Sequence, residues 1–373
     1  MSFFSKSRFI VVLIIFSLIS SVSSIYACTV PVFRYALERE AWSPDIYQVY
    51  VLHSGKLSEE NTKALKLLQD ASTLYSGGIL EHKSEIKYPA NIKLTKIDVN
   101  QKTDNKISNE LIRKYKNLDK PSLLLSMPKR EGRDYNIIWK GELTVTSAYY
   151  ILDSPTRRMI PREIAKGHKI IWLFIDGDSK KENEEKLELL NNSIASFSKE
   201  FNENHGYVDE PANNEGCEID SNKVDISIIR LSNKDDLLTN ILRAFESEFA
   251  ETKSPSAFAI FGRGRVLGGC FAESFNKETI EQACSYITGD CSCEIKQQNP
   301  GVDLLVSADW YKVMAAEVPP EYIVNPTTKN LKNGTSTNIT TGKVGTSFVI
   351  TLIILTLSVF IISVYFILKK THN

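Results

Sequence analysis

The sequence predicts an α/β protein: two three-layer domains with mixed sheets, followed by one C-terminal transmembrane helix. Three observations predict it. A series of strand and helix patterns occurs twice in the same order, each copy contains two strands joined by a short Gly-containing turn, and an uncharged apolar run closes the chain. Strands joined through a helix run parallel with a right-handed crossover, whereas strands joined by a tight turn are antiparallel. A small sheet holding both kinds is buried by helices on its two faces.

The chain opens with Lys6 and Arg8, an apolar run from Phe9 to Ile19 and small residues up to Ala27. That is the three-part form of a secretory signal, here residues 1–27, and its apolar run is too short to span a bilayer. Cleavage after Ala27 leaves Cys28 first. Ile25-Tyr26-Ala27-Cys28 also resembles a bacterial lipobox, in which Cys28 would be acylated; otherwise Cys28 becomes a disulfide partner.

The first domain, residues 28–155, begins its pattern with the apolar run Ile46–Leu52. A helix follows, with Leu57, Leu65, Leu67 and Leu68 on its apolar side, then a strand at Asn91–Val99 and a helix at Lys106–Tyr115. Lys120-Pro121 leads into the strand SLLLSM, the turn KREGRD into the strand Tyr135–Gly141, and SAYYILD reads as the closing helix. The second domain, residues 156–317, repeats the order. Lys169–Ile175 is a strand, and Lys180–Phe201 a helix with Leu187, Leu190, Ile194 and Phe197 at helical spacing. After a polar insertion come the strand Val224–Leu231, the helix DLLTNILRAFESEF, and Ser254-Pro255 leading into SAFAIF. The turn GRGR, read as a hairpin with two exposed arginines, returns the chain into VLGGCF, and Lys277–Ile287 closes as a helix.

Residues 318–345 are rich in Pro, Thr, Asn and Gly without apolar periodicity and read as a flexible stalk. Thr346 to Leu368 carries no charge and, at about 1.5 Å rise per residue, covers the hydrocarbon core. Lys369 and Lys370 follow, so residues 369–373 stay in the cytoplasm and the body faces the periplasm or exterior. The expected partners are the cytoplasmic (plasma) membrane, through residues 346–368, and another envelope protein.

Composition agrees with a folded, exported body. Of 373 residues, 42% are hydrophobic and 24% charged, which suits neither a disordered chain nor a polytopic membrane protein. All the acidic residues lie between the apolar ends, and the body is slightly acidic without a basic block. Nucleic acid is therefore not expected as a partner.

The repeated order, with Pro121 and Pro255 each preceding the third strand of its copy, resembles the thioredoxin fold in tandem over residues 45–155 and 165–290. The resemblance implies thioredoxin-like domains with a cis bond before each of those prolines. Thioredoxin-type catalysis also needs a thiolate at the start of the helix after the first strand, where the helix end lowers its pKa. Here those segments read His53-Ser54-Gly55-Lys56-Leu57-Ser58 and Asp176-Gly177-Asp178-Ser179-Lys180, without cysteine, so no catalytic residue carries over. Asp178 or Ser179 reads as a helix cap. The stretch CTVPVFRYALEREAWSPDIYQVYVL is also similar to the starts of a group of uncharacterised bacterial exported proteins.

Chemistry could then reside in the six cysteines, Cys28, Cys217, Cys270, Cys284, Cys291 and Cys293. In an exported chain all six are disulfide candidates first. Two alternatives stay open: a zinc site from the last four, opposed by their spacing, and a redox pair formed by Cys291 and Cys293, with Cys270 or Cys284 as resolving thiol. No cofactor and no metal are expected. The histidines show no paired-ligand spacing, Asp176 and Asp178 read as a capped helix start, and the four tryptophans read as core. The expected function is a membrane-anchored binding or scaffold protein, with a tethered thiol–disulfide oxidoreductase as the alternative. The Cys-Ser-Cys stretch is expected to pin the tail QQNPGVDLLVSADW to its domain.

Overall fold

A computed structural model describes residues 30–38, 42–78, 87–101, 103–129, 136–205, 223–231, 236–246 and 253–317. The signal, Cys28, Cys217, the stalk and the membrane span expected from the sequence lie outside those residues. Among the described residues, no helix is long and apolar enough to cross a membrane.

A short helix α1 (Val32–Leu37) precedes the first α/β repeat: β1 (Tyr47–His53), α2 (Glu59–Tyr75), β2 (Ile92–Asp98), α3 (Lys106–Lys114), β3 (Ser122–Ser126), β4 (Ile137–Glu142) and α4 (Val145–Leu152). Helix α5 (Pro155–Ala165) connects it to the second: β5 (Ile170–Ile175), α6 (Lys180–His205), β6 (Ile226–Leu231), α7 (Asp236–Phe245), β7 (Ser256–Phe261), β8 (Arg265–Phe271) and α8 (Lys277–Thr288). The tail adds α9 (Cys293–Gln298), β9 (Val302–Asp303) and α10 (Trp310–Met314).

The sheets have the orders β2-β1-β3-β4 and β6-β5-β7-β8-β9. In each, the first two strands of the repeat pair parallel, and the third pairs antiparallel with both the first and the fourth. Local chemistry explains the helix starts. Side chains of Ser58, Asn105, Thr144, Ser154 and Asn276 each accept from a backbone N–H in the first turn of the helix they precede, satisfying donors the helix leaves open. Strands β3, β5 and β7 are buried along their whole length, as central strands covered on both faces must be.

The expected cis bonds are corrected: no peptide bond among the described residues is cis, so Lys120–Pro121 and Ser254–Pro255 are both trans. Trans is the intrinsically favoured isomer, by about 0.5–1 kcal/mol, and each repeat enters its third strand without the exception.

Three cores organise the body. The face of the first sheet that carries Tyr50, Leu52 and Leu124 packs on Leu111 of α3. Its other face, with Val49 and Val51, packs on Leu67 of α2 and Ile151 of α4 and shares one continuous core with Ile171 and Leu173 of β5 and Leu237 and Ile241 of α7. The opposite face of the second sheet, with Trp172, Phe174 and Phe261, is covered by α6 and α8 and also by Val32, Phe33 and Trp42. The start of the chain thus packs on the second sheet, and all the described residues fall in one compact unit.

Candidate functional site

The places where a thioredoxin-type thiol would act are filled by backbone and capping groups. After β1, His53 Nδ1 lies 2.8 Å from Gly55 O, and Asn100 donates to Ser54 Oγ at 2.8 Å. After β5, Asn183 of α6 grips Gly177 on both sides, accepting from its N–H at 2.7 Å and donating to its carbonyl at 3.2 Å. Asp178 N–H donates to Lys253 O at 2.9 Å. A side chain at Gly177 would collide with backbone of Lys253, Ser254 and Pro255. Ser179 accepts from Glu182 N–H at 3.3 Å, giving the expected cap. Asp176 is engaged by Arg230 at 2.9 Å, and the same guanidinium binds Glu184 at 2.8 Å, holding the Glu184 carboxyl below its ordinary value by hydrogen bonding.

The cysteines divide into two classes. Cys270 of β8, Cys284 of α8 and Cys291 lie buried in the core around Trp172, Phe174 and Phe275. Cys293, the first residue of α9, is exposed. Cys270, Cys284 and Cys293 carry no disulfide bond among themselves. Burial pushes the Cys270 thiol up to about 12. It does the same to Cys284, also to about 12, where the Trp172 indole opposes it and Cys270 adds to it. A thiol held so far above neutrality supplies almost no thiolate, the form that attacks disulfides and binds metals. Among the described residues, no group of three His, Cys, Asp or Glu side chains is placed to hold a metal.

A different cluster brings together distant parts of the chain. Arg265, 1% exposed, opens β8. Its Nε donates to Asp303 Oδ1 at 2.9 Å, Nη2 lies 3.5 Å from Asp45 Oδ2, and Nη1 donates to Asn299 Oδ1 at 2.6 Å and Pro300 O at 3.0 Å. The Trp42 ring lies 5.2 Å from the guanidinium. Asp45 and Asp303 exchange backbone N–H bonds, each donating to the other's carboxylate at 3.0 Å, while Tyr47 OH donates to Asp303 O. Burial drives the Asp303 carboxyl above its ordinary range, Arg265 opposes this, and Asp45 adds to it.

This arrangement corrects the expectation of two exposed hairpin arginines. Arg263 and Arg265 are both buried, and Arg263 donates to Trp42 O at 2.5 Å. The chain's start and tail cover the hairpin, which sequence pattern does not reveal. Gly301, at φ +83°, lets the tail lie against Val266 O, where any β-carbon would collide. The tail then runs on between the two sheets. Asn91 donates to Asp45 O at 3.0 Å and to Leu304 O at 3.1 Å, and accepts from Val306 N–H at 3.1 Å. Arg157 donates to Leu305 O at 3.1 Å, and Ala90 and Ser307 form a β-bridge. The contacts that hold the tail here are buried polar groups, not the Cys-Ser-Cys stretch expected to pin it. Asn91, Asp45, Asp303 and Arg157 were not singled out by sequence reasoning. The Asn299-Pro300-Gly301 turn beside Asp303 is the sequence signal near the cluster, and it does not mark Asn91 or Arg157.

A cavity of about 260 Å³ lies between α1 and the end of α5, lined by Phe33, Arg34, Leu37, Ile164 and Met314 among others. Its rim charges include the Arg34–Glu38 pair at 3.5 Å, and His168 is engaged with Glu163 at 3.1 Å. A ligand site needs polar groups converging on an apolar pocket, and these are turned to one another instead.

No family model matches the chain, and no curated protein matches it. Among solved structures, it is similar to the crystal structure of ERdj5 (form I), with 9% sequence identity and a TM-score of 0.20 over 72% of this chain. The match spans 31% of the ERdj5 chain, and at that TM-score it carries no argument about fold or activity.

Proposed function

We propose that this chain is a membrane-anchored binding or scaffold protein, built on two non-catalytic thioredoxin-like domains that present a surface to another envelope protein. The observation that carries the reading is the sealed position at Gly177. A catalytic thiolate there would require open N–H groups at the start of α6, and Asn183, Ser179 and Lys253 already occupy that neighbourhood. Support for thioredoxin-like domains comes from the two strand orders, each with one parallel pair and an antiparallel hairpin, which ends the first sheet and is extended by β9 in the second. Support for the location comes from the signal-like residues 1–27 and the uncharged run Thr346–Leu368. Two obstacles stand against an oxidoreductase using Cys291 and Cys293: Cys291 is buried, and the resolving candidates Cys270 and Cys284 are held at about 12.

The test is a thiol-exchange assay on the detergent-solubilised full chain, following reduction of a disulfide substrate by a dithiol and oxidation of a reduced one. Rates equal to the buffer control are expected; a clear acceleration in either direction overturns the reading. Capture of an envelope protein by covalent crosslinking in intact cells supplies the positive arm.

A further inference from the structure

We propose that Cys270 and Cys284 are joined by a disulfide in the exported chain, stapling helix α8 to strand β8 across the core of the second sheet. The inference rests on the extracytoplasmic placement proposed above and on where these two elements set their side chains. Cys270 pairs in register with Ala257 of β7, which pairs with Phe174 of β5. Register partners share a face of the sheet, so Cys270 points into the core that holds Phe174, Ala257 and Ala259. Helix α8 closes that core. Its buried residues Ile280, Cys284 and Ile287 recur at helical spacing, which puts Cys284 at the middle of the covered face. The helix lies directly against β7 and β8. A disulfide needs Cα atoms about 4.4–6.8 Å apart, and the small side chains of Ala257 and Ala259 leave the helix room to settle that close to the sheet.

Proximity also sorts the thiols. Cys284 lies within the electrostatic reach of Cys270, which raises its thiol, whereas the group that Cys291 raises is Tyr286. Cys293 stands outside the core, exposed at the start of α9. The structure holds Cys270 and Cys284 as thiols, and joining them takes a small-molecule or protein disulfide donor. Before α8 docks, the thiolate of one cysteine attacks a donor sulfur and releases a first thiol. The thiolate of the other then attacks the cysteine sulfur of the mixed disulfide and releases the second. The chain gives up two protons and two electrons, and the donor is reduced to two thiols. The order matters because burial leaves both cysteines almost no thiolate once the core has closed.

The experiment is peptide mapping of the full chain, exported with its own leader, unfolded in urea with N-ethylmaleimide and digested without reductant. The expected result is a peptide carrying Cys270 linked to one carrying Cys284, both alkylated only after reduction. A C270S chain should leave Cys284 alkylated without reduction; if that chain fails to accumulate, the map of the unaltered chain decides alone. Either cysteine linked to a different one, or both alkylated while other cysteines are bonded, overturns the proposal. If no cysteine of the chain is bonded to another, the extracytoplasmic placement fails instead, and the pairing is decided by refolding the purified chain from urea in a glutathione redox buffer. Formation of the Cys270–Cys284 link there supports it, and formation of a different link, or of none, overturns it.

Discussion

Replacing Arg265 by methionine would remove a buried cation while roughly preserving its apolar stem. Its guanidinium lies 2.9 Å from Asp303, 3.5 Å from Asp45 and 2.6 Å from the Asn299 side chain, with its own side chain 2% exposed. Deleting one member of a buried ion pair leaves the other charge uncompensated, at a cost of about 3–5 kcal/mol. Urea unfolding at neutral pH should register a loss of that size. A double-mutant cycle with D303N isolates the pair, and the two changes should couple by about 1.5 kcal/mol or more, within the range found for groups in one network. The deficit should also shrink in acid, because protonation of Asp303 removes the stranded charge. Additive effects in the cycle, or a single-variant loss below about 1 kcal/mol, would refute the claim that Arg265 organises the junction.

Further outcomes follow from the same geometry. Because burial raises the folded-state pKa of Asp303 above the ordinary 3.8, the folded form holds its proton at pH values where the unfolded form has lost it. Its contribution to stability therefore falls as pH rises from about 3.8 through the raised value, and D303N should flatten that part of the stability–pH curve measured by urea titration. Asn91→Ala would strand the Val306 N–H and two carbonyls, costing about 3 kcal/mol by the usual penalty for buried unpaired groups, and should expose the tail to limited proteolysis. In reduced protein at pH 8, iodoacetamide should label Cys293 at least about a hundredfold faster than Cys270 or Cys284, and urea should abolish the difference. Gly269→Ala would place a β-carbon 2.5 Å from the Phe258 ring and should cost about 1–3 kcal/mol in thermal or urea unfolding, as overpacked cores do.

Much of the fold was legible in the sequence because its central strands announce themselves. KIIWLFI and SAFAIF are continuous apolar runs, and both fall on fully buried strands. The helix starting at Lys180 is long and periodic, and it appears where expected. Helix α5 was missed because Pro161 lies within it, and a proline in a helical pattern reads as a break. Its ends were marked all the same, by the Ser154 cap with Pro155 behind it and by Gly167 at φ +99°. The junction around Arg265 was illegible for another reason. Its members stand at positions 42–47, 263–265 and 299–303, and local periodicity carries no information about partners so far apart. Likewise, an arginine in a Gly-Arg-Gly-Arg turn looks solvated until the segments that cover it are known.

The hydrogen bonds from Tyr47 to Asp303, Asp45 to Asp303 and Asn91 to Leu304 join residues 256, 258 and 213 positions apart. Contacts of such range place a timing constraint on biosynthesis. At translation rates of about 5–20 residues per second, Asp303 is made on the order of ten seconds to a minute after Asp45. The first sheet can pair its own strands in that interval, since β1 to β4 span only residues 47–142. Its surfaces around Asp45 and Asn91 must wait for the tail. Newly made chains halted before residue 303 should therefore hold a formed but unsealed first sheet, and ordering of its partner segments should begin only when the Asn-Pro-Gly turn is released.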